Sequence, residues 1–142
     1  MVWYKMFLKN MNNTYRLFLD DVRVPSDVIK YIKPDYLKDE YKKEWVICRN
    51  YQQFVDCIIK NGLPTHISFD HDLADIKKIN NSTLIIATDF LTEKTGYDAA
   101  KWLCEYLHYN NKDVPIYYVH SINPVGKNNI INLLEHFKKY KK

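Results

Sequence analysis

Charged and proton-carrying side chains stand directly behind apolar runs at three places in this chain. Arg16-Leu17-Phe18-Leu19 runs into Asp20-Asp21, with Arg23 two residues further on. His66-Ile67-Ser68-Phe69 runs into Asp70-His71-Asp72, and Pro115-Ile116-Tyr117-Tyr118-Val119 into His120-Ser121. One Asp after a strand is ordinary turn chemistry, because Asp bonds its own backbone and caps helices. Five positions, Asp20, Asp21, Asp70, His71 and Asp72, are more than turns require. Carboxylates gathered in one place raise one another's pKa or take up a cation. Oxygen donors that keep some water suit Mg²⁺ or Mn²⁺, and His71 or His120 would widen the choice towards Zn²⁺ or Fe. Asp20, Asp21, Asp70 and Asp72 are therefore the candidate metal ligands. A divalent metal in such a place can polarise a phosphate and acidify a bound water.

The neighbouring residues suit an anion. The Arg23 guanidinium offers a fork for phosphate oxygens, the alternative being an ion pair with one of the aspartates. His120-Ser121-Ile122-Asn123-Pro124-Val125-Gly126 runs from a strand end into a helix start. The amides of a helix N-terminus form an anion site, with Ser121, Asn123 and Gly126 as the candidate phosphate contacts beside Arg23. His120 suits a general acid that protonates a leaving alkoxide, paired across the crevice with His71. Together with Asp70 these two histidines are the candidate catalytic groups. Asp98, after Gly96, is expected to cap a helix. His66, His108 and His136 lack comparable surroundings and are taken as structural.

These residues need a scaffold that brings strand ends together. The pattern is a short apolar run, a polar cluster, then a helical stripe. Trp45-Val46-Ile47-Cys48 is the remaining strand and ends at Arg49-Asn50. Asn50 caps a helix with Tyr51, Phe54, Val55, Ile58 and Ile59 on one face, stopped by Asn61-Gly62 and Pro64. A second helix follows Gly96, and the last buries Ile130, Leu133, Leu134 and Phe137. Strands alternating with helices predict a parallel sheet covered on both faces, with ligands bound beyond the carboxyl ends of its strands. Residues 24–44 and 73–95 break the repeat as inserts. One short helix is expected around 35–43, and the 73–95 insert leaves the third strand where a lid or a plain surface hairpin would sit. Residues 1–15 form an N-terminal appendage to a domain spanning 16–142, and Met11 offers an alternative start.

Composition narrows the class. The chain has 142 residues, 46% hydrophobic and 27% charged, with 3 Gly and 5 Pro. That is the balance of one globular domain rather than a disordered, collagenous or low-complexity chain. The net charge of +4 comes mostly from Lys, and phosphate grooves need clustered Arg and Lys, so duplex nucleic acid is not an expected partner. The tail Lys138-Lys139-Tyr140-Lys141-Lys142 is taken as a solvated helix end. Cys48, Cys57 and Cys104 are odd in number and lie in apolar stretches, which argues for free thiols. No apolar run reaches membrane length, and the apolar start lacks a cleavage site, so a cytoplasmic location is expected. The richness in Lys, Asn, Ile and Tyr, residues of A/T-rich codons, suggests the genome of a phage or a low-GC bacterium.

Five pieces in order resemble the cyclic-phosphate-processing receiver-like domain family. They are Leu19-Asp20-Asp21-Val22-Arg23-Val24-Pro25, Trp45 to Arg49, Phe69-Asp70-His71-Asp72-Leu73, Thr95-Gly96-Tyr97-Asp98 and His120 to Gly126. The resemblance runs from about residue 16 to the C-terminus. It implies a three-layer flavodoxin/receiver-like fold with a central, mostly parallel four-stranded sheet. Asp20 and Asp21 then stand where receivers bind Mg²⁺, Asp70 where they carry the phosphoacceptor, and His120 where they carry a hydroxyl. The fifth receiver strand and its lysine are missing, since a single helix follows His120. The implied activity is metal-dependent hydrolysis of a cyclic phosphate, from a cyclic nucleotide or a 2′,3′-cyclic phosphate end. The alternatives are a non-catalytic binder of a cyclic or phosphorylated nucleotide and a receiver-type signalling or interaction module. The Asp70-x-Asp72 spacing also suits a haloacid-dehalogenase-type phosphatase, but that reading fails on the small size and on the earlier Asp20-Asp21 strand.

Overall fold

A computed structural model describes residues 14–73 and 94–141. Four parallel strands form its centre: β1 (Arg16–Leu19), β2 (Val46–Cys48), β3 (His66–Phe69) and β4 (Ile116–Val119), in the order β2-β1-β3-β4. The helices are α1 (Pro25–Val28), a 3-10 helix (Asp35–Lys42), α2 (Tyr51–Asn61), α3 (Gly96–Asn110) and α4 (Pro124–Tyr140). This is the receiver-like α/β arrangement, and no fifth strand follows β4 among the described residues.

The caps are local and come from residue type. Asn50 Oδ1 accepts from the Gln53 amide at the start of α2, which ends at Gly62 with φ 84°. Thr95 and Asp98 form a reciprocal capping box at α3. Asn123 caps α4, whose first residue is Pro124.

Strand periodicity divides the core. Leu17, Leu19, Cys48, Ile67 and Phe69 face α2, α3 and α4, packing on Phe54, Ile58, Leu103, Leu107, Ile130 and Leu134. Phe18 faces the other way, onto Val28, Ile32, Tyr41 and Trp45. The three layers are thus unequal: three long helices cover one face, and α1 with the 3-10 helix covers the other. The helix expected around 35–43 is this 3-10 segment, held to the sheet by buried Tyr41 rather than by a full amphipathic stripe.

Tyr15, placed with the appendage from sequence, belongs to the core, and its hydroxyl donates to the Gly62 carbonyl at 2.6 Å. The apolar start before Thr14 and most of the 73–95 insert, including any lid role, lie outside the described residues. All three cysteines are free, Cys48 and Cys57 being buried. No helix among the described residues is long and apolar enough to cross a membrane.

Candidate metal and phosphate site

The strand register builds the site. Phe18, Ser68 and Tyr118 are partners across β1, β3 and β4. The ladder continues past the strand ends, where the Asp70 amide donates to Leu19 O (2.9 Å) and the His120 amide to Phe69 O (3.0 Å). Two residues on from Phe18, Ser68 and Tyr118 come Asp20, Asp70 and His120. A period of two puts all three on the face that carries Phe18. Each offers one ligand atom, and these atoms lie within 4.8 Å of one another.

Asp20 is fully buried. Its Oδ1 accepts from the Val22 and Arg23 amides at 2.9 and 2.8 Å. Its Oδ2 accepts from His120 Nε2 at 2.9 Å and from Arg23 Nη1 at 3.2 Å. Burial alone would raise its pKa, but the bonds from His120 and from the two amides hold it well below the usual carboxylate range. Asp70 has the opposite balance. Burial and then the Asp20 charge push it up to about 7, with Arg23 Nη1, 3.7 Å away, only partly compensating. One guanidinium thus serves two buried carboxylates, and a further cation is the natural complement. The donor set of two carboxylates and an imidazole could hold a divalent metal ion.

A cleft of about 210 Å³ opens beside this cluster and reaches it through Asp70 and Arg23; Asp21, Asp72, Ser121 and Asn123 also line it. Larger hollows of about 460 and 510 Å³, one along the free edge of β4 and one beside Pro25 and Trp45, contain none of the strand-end acids. Asp21 and Asp72 line the cleft, but they are not members of the three-residue ligand cluster.

Several sequence expectations need correction here. His120 does not face His71 across the crevice. It is wholly buried, stacked on Phe18 with centroids 4.5 Å apart, and both its ring nitrogens are engaged, by Asp20 and by Ser68 Oγ (2.6 Å). The cause is strand parity, which turns position 120 to the Phe18 face. His71 instead bonds Asp72 Oδ1 through Nδ1 (2.9 Å), and its ring lies against Gly126. A Cβ on Gly126 would sit 2.3 Å from the His71 ring, so this glycine provides space for packing. Its amide donates to Asn123 Oδ1 (3.0 Å) and is not offered to an anion. Asn123 Nδ2 reaches Asp72 Oδ2 (3.1 Å), and Ser121 Oγ accepts from the Asn123 amide (3.1 Å).

Four residues outside the expected site shape it. Arg49 Nη1 donates to the carbonyls of Asp20 (3.2 Å) and Arg23 (2.7 Å), fixing the loop that presents both. Its signal in the sequence was position, directly behind an apolar run like the aspartates. Ser68, a polar residue inside a buried strand, and Tyr41 extend the His120 contact inwards, with Oγ and hydroxyl 2.7 Å apart. Gly96 lets α3 approach the site: a Cβ there would lie 1.8 Å from the Asp70 carbonyl oxygen, and its amide donates to His71 O (2.7 Å).

A family described as cyclic-phosphate processing receiver domain matches residues 15–136. The chain belongs to that family. The receiver domain so defined takes in all four strands, the whole cleft and most of α4. No curated protein and no solved structure matches the chain.

Proposed function

We propose that this receiver domain is a metal-dependent phosphodiesterase that opens a cyclic phosphate, in a cyclic nucleotide or at a 2′,3′-cyclic phosphate end. The observation that carries the reading is the convergence of buried Asp20 and Asp70 beside a cleft that Asp70 and Arg23 line. Asp20 and Asp70 would hold Mg²⁺ or Mn²⁺, which would neutralise phosphate charge and acidify a water. Arg23 binds a phosphoryl oxygen, and Ser121 and Asn123 contact the phosphate from the α4 side. Water attacks phosphorus and releases a proton, the ring P–O bond breaks, and the departing alkoxide takes that proton up. Asp72, on the cleft and bonded to the His71 ring, is the group placed to move that proton. His120 acts on Asp20 from below and does not touch the substrate.

The test offers the full chain 2′,3′- and 3′,5′-cyclic nucleotides with Mg²⁺ or Mn²⁺, or with chelator, and follows ring opening by ³¹P NMR. Metal-dependent turnover is expected. Asp70→Asn should reduce it at least about 100-fold, beyond the usual cost of losing a supporting contact. Saturable binding without turnover would leave the non-catalytic binder in its place. A phosphorelay has less support, because no fifth-strand lysine follows β4 among the described residues.

A further inference from the structure

Tyr41, Ser68, His120 and Asp20 form one buried line of hydrogen bonds: 2.7 Å from Tyr41 to Ser68, 2.6 Å from Ser68 to His120 Nδ1, and 2.9 Å from His120 Nε2 to Asp20 Oδ2. The first three residues take no part in the chemistry proposed above, yet their donor count has one solution. An ionised Asp20 can only accept, so Nε2 must carry a proton. The imidazole is fully buried against Phe18, which disfavours a second charge-bearing proton, so Nδ1 is an acceptor. Ser68 then spends its single proton on Nδ1, and Tyr41 must donate to Ser68. The reverse direction would aim a lone pair of Nε2 at the Asp20 carboxylate. It would also strand the Tyr41 proton, which has no other acceptor among the described residues.

We propose that Tyr41 and Ser68 are positioning residues that lock His120 in its Nε2–H tautomer, making it a fixed donor to Asp20 rather than a metal ligand. The metal-facing set then reduces to Asp20 and Asp70, completed by water and substrate oxygens. That is an all-oxygen site, suited to Mg²⁺ or Mn²⁺ rather than Zn²⁺. The role of the line is to hold one Asp20 oxygen in place while the carboxylate engages a cation, as outer hydrogen bonds do for ligands elsewhere. The tautomer does not depend on the proposed activity; only the consequence for metal affinity rests on it.

The test is ¹⁵N NMR of the histidine rings in the full chain, first free of metal and then with diamagnetic Mg²⁺. His120 should show a protonated Nε2 and an unprotonated Nδ1 in both states. A protonated Nδ1, a doubly protonated ring, or loss of the Nε2 proton when Mg²⁺ is added would overturn the proposal. Tyr41→Phe removes the terminal donor and keeps the shape. Asp20 still requires the Nε2 proton, so the tautomer should stay, while the Ser68 bond to Nδ1 loosens and the Nδ1 resonance moves toward that of a free acceptor; an unmoved resonance would remove Tyr41 from the role. Ser68→Ala should weaken Mg²⁺ binding by about 10–100-fold in calorimetry. Undiminished affinity in a folded Ser68→Ala protein would refute the coupling to Asp20. If no variant and no wild-type protein binds Mg²⁺, the ring spectra still decide the tautomer, and the proposed function fails separately.

Discussion

Asp70→Asn should make the metal-free protein more stable while abolishing the proposed metal site. In the folded chain Asp70 is 3% exposed, and its pKa is raised from 3.8 to about 7 by burial and by the Asp20 charge. A carboxyl whose folded pKa is raised binds its proton more tightly in the folded state. Its favourable contribution is complete below the unfolded value and disappears as pH rises through the folded value, near 7. At about 1.4 kcal/mol per pH unit, the gap between 3.8 and about 7 sets an upper bound of about 4 kcal/mol. Asn keeps the acceptor for the His71 amide, which bonds Asp70 Oδ1 at 2.9 Å, and it carries no charge. The variant should therefore match wild type near about pH 4 and exceed it by up to about 4 kcal/mol near about pH 8. The assay is urea unfolding of both proteins with chelator present, across that range. Mg²⁺ or Mn²⁺ should then restore wild type alone, by about 2.7 kcal/mol at a hundredfold excess over Kd. Parallel curves at every pH, or an Asn variant weaker than wild type at alkaline pH, would refute the electrostatic reasoning. Greater stability with lost function is the pattern of a site whose charges are kept for chemistry.

Two further substitutions probe the support of the site. Gly96→Ala places a Cβ on the Asp70 carbonyl, which is backbone and cannot swing aside, so α3 must retreat. Unfolding should report a loss of about 1–3 kcal/mol, typical of overpacking, and an unchanged midpoint would contradict the close approach. Arg49→Gln removes two charge-assisted bonds to the Asp20 and Arg23 carbonyls. It should cost about 1.5–3 kcal/mol in the same assay and weaken Mg²⁺ binding, whereas a loss of stability with full affinity would detach Arg49 from the site.

Local chemistry in the sequence was enough to identify the four strands, the three long helices and their order, though not the short helix Pro25–Val28. Apolar runs at 16–19, 45–48, 66–69 and 115–119 become the four strands, with bounds shifted by a residue at 45 and 115. Asn50, Gly62, Thr95, Asp98 and Pro124 mark helix ends because capping is decided within a few residues. The strand-end aspartates stood out for the same reason, as polar residues abutting runs that must be buried. Their convergence was a consequence of parallel pairing, which follows from strands alternating with helices.

Tertiary structure decided what no local pattern carries. The order β2-β1-β3-β4 and its register determine that Asp20, Asp70 and His120 share a face, and hence that Asp70 is the carboxyl with a raised pKa. His120 looked like an exposed acid because the run ahead of it ends there. Pairing with β3 instead turns it inward onto Phe18 and Ser68, 102 and 52 residues away in sequence. Ser68 and Tyr41 carried no signal, since a buried serine and a tyrosine in a charged 3-10 segment are unremarkable until a ring nitrogen lies between strand and helix. Gly126 looked like an anion-binding amide and proved to be the gap that His71 fills. In each case the deciding contact joins residues brought together only by sheet pairing and helix docking, and side-chain direction at such contacts depends on the register of the whole sheet.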